Sequence, residues 1–248
     1  MKPGGERDRP APPTAGLGHP RIHLRRVDST NERARKLAIS GVPHGTLVSA
    51  SEQTAGRGRQ GRSWMAPPGG ALLCSLVLRD PPALLSLRAG VAACEAIGES
   101  ARLKWPNDIV VEHDLGKLAG ILIEGRPQEN WAVLGIGVNV AVHVAELPPE
   151  VRARAASLER PASAIEPLLA DLLAALARWL IAPTEAALDA WRTRDALLGR
   201  EVSWAGGAPI AGTRRGRAQG IDNAGRLVLA LAGGGTAALD AGEVHLAV

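Results

Sequence analysis

The apolar positions of the chain fall into short runs separated by Gly, Pro and Asp/Asn, and these runs mark its elements. Asp28-Ser29-Thr30-Asn31-Glu32 reads as a helix start, with Ser29 and Glu32 at capping-box spacing, and the helix runs to about Ser40 before Gly41. Residues 46–50 and 71–78 are apolar stretches of strand length, the second preceded by the turn Pro67-Pro68-Gly69-Gly70. Residues 83–97, mostly small and apolar, predict a second helix. Short strands are expected at 102–105, 109–112, 117–124 and 131–140, and two or three helices over 148–197. Strands grouped after helices, instead of alternating with them, indicate an α+β layered fold with a mixed or antiparallel sheet.

After Leu198 the texture changes. Residues 201–204, 210–219, 226–230, 237–239 and 243–248 read as short strands. Between them lie Gly206-Gly207, Asp222-Asn223-Ala224-Gly225 and Gly233-Gly234-Gly235. That spacing suits a small β-barrel of about fifty residues. The first residues are rich in Pro and Gly and read as a disordered lead-in. The expected organisation is therefore a lead-in over 1–21, a main domain over 22–198 and a small β-domain over 199–248.

Composition narrows the function classes. The 248 residues are 46% hydrophobic, enough for one substantial core with a satellite. Net charge is only +4 while the pI is about 9.7, which argues for local basic patches over a nucleic-acid-coating surface. Phe and Tyr are absent and Trp occurs six times, so base stacking would fall to Trp or Arg. Cys74 and Cys94 stand at no metal or redox spacing, and the histidines form no zinc pattern. No protein-held metal is expected. The sequence shows no membrane-length apolar run and no signal-peptide pattern, so a cytoplasmic protein is the expectation. No Gly-x-Ser-x-Gly elbow is present; the chemistry expected is one without a protein nucleophile.

Four segments carry that chemistry. Gln53 to Trp64 alternates glycine with Arg57, Arg59 and Arg62, placing guanidinium forks on backbone that can wrap a small anion. A disordered Gly/Arg RNA tether is the bland alternative, but the segment is short and flanked by apolar strands. Lys104-Trp105-Pro106-Asn107-Asp108 is a proline turn that can also present a cation, an amide and a carboxylate to one cleft. Lys117 heads an apolar strand in which Gly120 suggests close approach of another group. Gly135-Ile136-Gly137-Val138-Asn139 closes a strand on an amide and lacks the third glycine and following helix of a Rossmann fingerprint.

Taken in order, these segments resemble the biotin protein ligase family over about residues 22–248. The resemblance implies a class II synthetase-like core followed by an SH3-like barrel at Gly220 to Leu227 and beyond. It implies that biotin is activated by ATP, with Mg2+, to biotinyl-5′-AMP and then transferred to a lysine of a biotin carboxyl carrier protein, an acyl-CoA carboxylase subunit. Ser29, Thr30, Asn31 and Gln53 would contact the ureido ring of biotin. Arg57, Gly58 and Arg59 would hold the carboxylate and later the adenylate phosphate, with Lys117 between them as electrostatic catalyst. Asp108 would orient or deprotonate the incoming lysine amine. Arg62, Trp64, Lys104, Asn107 and Asn139 would serve the nucleotide.

Two departures stand out. Ala155-Ala156 precede Ser157-Leu158 where relatives often carry an aromatic for adenine, and no late basic residue follows His245. The short Pro/Gly-rich start leaves no room for a helix-turn-helix, so no DNA-binding role is expected; a homodimer is a fair expectation. The competing readings are a lipoate ligase or acyltransferase of similar fold, and a non-enzymatic RNA-binding protein using the Gly/Arg loop.

Overall fold

A computed structural model describes residues 16–205, 213–240, 242 and 244–246. Most of the expected lead-in, and the starts or ends of two expected C-terminal strands, lie outside the described residues. The first sheet comprises β1 (Arg21–Leu24), β2 (Leu47–Ala50), β3 (Ala71–Arg79), β4 (Ala101–Lys104), β5 (Asp108–Val111), β6 (Lys117–Arg126) and β7 (Trp131–Asn139). Its strand order is β1-β2-β3-β7-β6-β5-β4, parallel only between β1 and β2 and antiparallel elsewhere. The expected mixed α+β sheet is therefore present. β1 is an additional strand: Arg21-Ile22-His23-Leu24 sits on the sheet edge, where half exposure leaves only two apolar residues to signal it.

Helices cover both faces. On one face, α2 (Leu85–Ile97) packs between the sheet and α4 (Ile165–Trp179), with α5 (Thr184–Arg192) beside it. Nearly every side of α2 is buried, which is why its sequence lacks a polar stripe. The short helix α3 (Pro149–Arg152) precedes α4. On the other face, α1 (Thr30–Ile39) lays Ala34 and Ala38 on Val48, Val77, Trp131 and Val133. Its capping box is only half formed. Ser29 Oγ accepts from the Glu32 N–H at 3.5 Å, while the Ser29 N–H donates to Asp28 Oδ1 at 2.7 Å, so the Glu32 carboxylate is left for other partners.

The last strands, β8 (Glu201–Ala205), β9 (Thr213–Ile221), β10 (Leu227–Ala230), β11 (Thr236–Leu239) and β12 (Val244–Leu246), form a second antiparallel sheet in the order β11-β10-β9-β8-β12. Among the described residues β11 and β12 are not paired with each other, so these residues show a five-stranded sheet and not the closed barrel expected from the sequence. It joins the main core through Val202, Trp204, Ile221 and Leu227.

Candidate functional site

The register of the sheet explains where the site lies. On the α1 face, Val77 and Val133 are covered by the helix, and Ala71 and Leu73 by Val142, Leu147 and Trp64. Between these two covered zones the same face carries Ser75 opposite Gly135, Leu122 opposite Gly135, and Gly120 opposite Gly137. Three adjacent positions without side chains leave a trough in an otherwise packed surface. A Cβ on Gly135 would stand 1.9 Å from Asn31 Oδ1, and one on Gly137 would stand 2.7 Å from the Trp64 indole. The Gly120 position is likewise bounded by Trp64 and Lys117, the close approach its sequence context suggests.

The resulting pocket encloses ≈ 480 Å3, mouth included. It brings together Ser29, Thr30, Asn31, Gln53, Arg57, Gly58, Arg59, Trp64, Asn107 and Lys117 from segments up to 88 residues apart. Asp108 joins them through an ion pair, its Oδ1 lying 2.6 Å from Lys117 Nζ. Lys104, Arg62 and Asn139 do not line this pocket. Lys104 ends β4 opposite Asp108 in the hairpin, and Arg62 lies at the outer mouth formed by the Gly/Arg loop and Leu122–Glu124. Asn139 is a buried strut whose amide donates to the carbonyls of Ala156 at 2.9 Å and Lys117 at 3.3 Å.

One end of the pocket is polar and neutral. Gln53 Oε1 accepts from the Thr30 N–H at 2.7 Å and the Thr30 hydroxyl at 3.0 Å, which fixes the amide so that its N–H2 is the group offered elsewhere. Ser75, fully buried beneath, lies 2.9 Å from the Thr30 hydroxyl and donates to Asn31 Oδ1 at 2.6 Å. Asn31 in turn donates to Glu124 Oε2 at 2.8 Å, so both ends of its amide are occupied by protein. Ser75 and Glu124 were not legible as site residues; the glycines flanking them in the sheet were the available signal.

The other end is charged. Arg59 donates to Asn107 Oδ1 at 3.1 Å, and Asn107 is itself anchored by its amide on the Ile121 carbonyl at 2.8 Å. Lys117 stands 5.8 Å from the centre of the Trp64 ring, within cation–π range. The Gly/Arg loop is ordered: the Arg57–Ser63 bridge, the Gly58 N–H to Arg62 carbonyl bond at 2.7 Å and the Trp64 N–H to Gly56 carbonyl bond at 2.9 Å fold it into a cover. A Cβ on Gly56 would meet the Trp64 carbonyl at 2.5 Å, so that glycine is required by close approach. Fixed cations in a half-buried trough offer a preorganised field for anions, with one carboxylate beside the amine of Lys117. Cys74, one register position away from Ser75, points to the opposite, core face of the sheet, where burial pushes its thiol up to about 12 and leaves it a small apolar group at neutral pH. Among the described residues no three His, Cys, Asp or Glu cluster as metal ligands, and no helix is long and apolar enough to cross a membrane.

Residues 23–140 match the model of the biotin/lipoate A/B protein ligase family, and residues 197–246 that of the biotin protein ligase C terminal domain. The chain is 35% identical over 241 residues to a biotin--[acetyl-CoA-carboxylase] ligase of Mycobacterium tuberculosis, covering 88% of this chain and 86% of that one. It is 37% identical over 233 residues to the ligase of the same name from Paracoccus denitrificans, covering 83% and 92%. It spans about half the length of the bifunctional ligase/repressor BirA of Bacillus subtilis, 49% of that protein, at 37% identity over 161 residues that make up 60% of this chain. A biotin protein ligase from Aquifex aeolicus, solved in complex with biotin and ATP, superposes with a TM-score of 0.78 at 27% identity, covering 92% of this chain and 99% of that one.

Proposed function

Because the chain belongs to the biotin protein ligase family, we propose that it activates biotin with ATP to biotinyl-5′-AMP and transfers the biotinyl group to a lysine of a biotin carboxyl carrier protein. The observation that carries this reading is one trough with a neutral polar end and a cationic end, covered by the Gly/Arg loop. In the first step a carboxylate oxygen of biotin bonds to the α-phosphorus of ATP and the bond to pyrophosphate breaks. In the second, the carrier lysine amine bonds to the acyl carbon, loses a proton, and AMP leaves.

Neither step needs a protein nucleophile. Two anions must be brought together, and fixed cations in a site of lowered dielectric oppose their repulsion. We assign the ureido head of biotin to the Ser29–Asn31 and Gln53 end, where Gln53 offers its N–H2 and Asn31 holds the wall. Gly120, Gly135 and Gly137 let the flat ring lie against the sheet, under Trp64. Lys117 and Arg59 meet the carboxylate and the transferring phosphate, with Gly58 supplying backbone and Asn107 orienting Arg59. Asp108, held against Lys117, faces the incoming amine as its orienter or proton acceptor. Arg62 and Lys104 are assigned to the nucleotide side, and Asn139 supports it by fixing the start of β6. Mg2+ would arrive as the counter-ion of ATP; no cluster among the described residues fits a protein-held metal, and no step is assigned to one.

The same reading takes 22–198 as the catalytic unit and 199–248 as a small SH3-like unit, supported by the succession of five short antiparallel strands. It favours a cytoplasmic enzyme, where carrier and ATP are found, and is compatible with a homodimer. The test is biotin-dependent exchange of pyrophosphate into ATP, with lipoate as control. Exchange with biotin alone is expected; exchange with lipoate instead would transfer the chain to the lipoate branch of the family.

A further inference from the structure

Arg57 is the one arginine of the loop whose partners are all acidic groups of the protein. Its Nη1 lies 3.2 Å from Glu32 Oε2 and 3.7 Å from Glu124 Oε1. Glu32 comes from the first turn of α1, directly after the Ser29–Asn31 wall, and its side chain is only 11% exposed. It also holds Arg35, at 2.7 and 3.1 Å. Glu124 lies on β6, the strand that Lys117 begins, and its second oxygen accepts the Asn31 amide. Next to Arg57, Gly56 leaves no room for a side chain: a Cβ there would meet the Trp64 carbonyl at 2.5 Å and the Gln53 amide at 2.9 Å.

From this geometry we infer that the Arg57 guanidinium is a latch, not an anion ligand, and that Glu32 and Glu124 are positioning residues that hold the Gly/Arg loop over the pocket. The inference rests on the biotin-activating reading and deepens it. Turning the guanidinium inward to a substrate carboxylate would break the Glu124 ion pair, leaving it the more distant charge of Arg35, and would leave Glu32 with its own helix partners. Staying outward, Arg57 satisfies both carboxylates while Arg59 and Lys117 remain to meet the substrate's negative charge. The Glu124 carboxylate makes the latch part of the pocket wall, because one oxygen braces Asn31 and the other faces the loop. A ligand that presses on Asn31 therefore acts on the same carboxylate that fixes the cover.

Glu124→Gln separates the two jobs, since its amide oxygen still accepts from Asn31 while the charge facing Arg57 is gone. Three quantities are measured on the full chain: tryptic cleavage after Arg59 and Arg62 in the ligand-free protein, KM for biotin, and kcat for pyrophosphate exchange. Cleavage should be faster and KM higher by about threefold to fivefold, as befits half-exposed ion pairs, with kcat within about twofold. Arg57→Gln should produce the same changes, and the double variant should add nothing to either one. Unchanged cleavage and KM in Glu124→Gln, or additive effects in the double variant, would overturn the latch. So would an Arg57→Gln enzyme that loses kcat by orders of magnitude, since that is the behaviour of an anion ligand. The cleavage assay needs no biotin, so it judges the latch even if wild-type exchange were to contradict the activity itself.

Discussion

Asp195 offers a prediction whose size follows from its surroundings. It lies after α5, where the Leu103 N–H donates to the Arg194 carbonyl and the Ala196 N–H to the Leu103 carbonyl, each at 2.8 Å. This stitches the chain to β4, the strand that leads into the Lys104–Asp108 turn. Asp195 Oδ1 accepts from the Leu197 N–H at 2.8 Å, while Oδ2 is buried without a partner. Burial without a counter-charge pushes the carboxyl from its ordinary 3.8 up to about 6, against the weaker pull of the backbone N–H groups of Leu197 and Leu198. The folded value is the higher one. The stability tied to the protonated group is therefore whole below pH 3.8 and is lost as the pH rises through 6. At 1.36 kcal/mol per tenfold in proton affinity, the charged group costs about 3 kcal/mol at pH 8 and about 1.5 kcal/mol at pH 5. Asp195→Asn keeps the acceptor for Leu197 and is neutral throughout. Its advantage over wild type in thermal unfolding should thus be larger at pH 8 than at pH 5 by about 1.5 kcal/mol, or roughly 3–6 °C in Tm. An equal advantage at both pH values, or a loss confined to pH 8, would refute the idea of an unpaired carboxylate.

Other outcomes follow from the pocket. Gly135→Ala places a methyl 1.9 Å from Asn31 Oδ1, so overpacking of about 1–3 kcal/mol should displace Asn31 and raise KM for biotin at least about tenfold; a wild-type KM in steady-state exchange would contradict the assigned wall. Cys74 and Cys94 are buried and both thiols are pushed up to about 12 by burial. Iodoacetamide at pH 8 should label neither in the folded protein and both after unfolding, read by intact mass; labelling of folded protein at Cys74 would mean that the core between the sheet and its helices opens to solvent.

Much of the architecture is visible in pattern and punctuation, because an apolar run of strand length such as Ala71–Leu78, set off by Pro67-Pro68-Gly69-Gly70, marks a central strand buried on both faces. The glycines of β6 and β7 likewise advertise a surface where something approaches closely. β1 is silent because an edge strand buries too little to need a pattern. Glu32 misleads for a different reason: its spacing from Ser29 suggests a cap, but its side chain is drawn off by Arg35, one helical turn on, and by Arg57, a partner that only the fold brings near. The Arg35 hydrogen bond holds its carboxyl below the ordinary range against the upward push of burial, and the charges of Arg35 and Arg57 add to the lowering. Ser75 and Glu124 were illegible for the same cause. Their roles depend on which residue lies across a strand pair, and register is set by distant turns and by the buried face as a whole.

The Trp105 indole, buried at 2% exposure, donates from Nε1 to the Gly225 carbonyl at 3.1 Å, and Gly225 itself nests against Leu84 and Leu87. The turn that presents Asn107 and Asp108 is thus propped by residues made 120 positions later. On the ribosome, every strand of the first sheet can emerge while this prop is still untranslated. A nascent chain stalled before the second sheet would therefore hold this turn through Asn107 on Ile121 and Ser86 on Pro106, and would still lack the carbonyl on which the Trp105 indole rests.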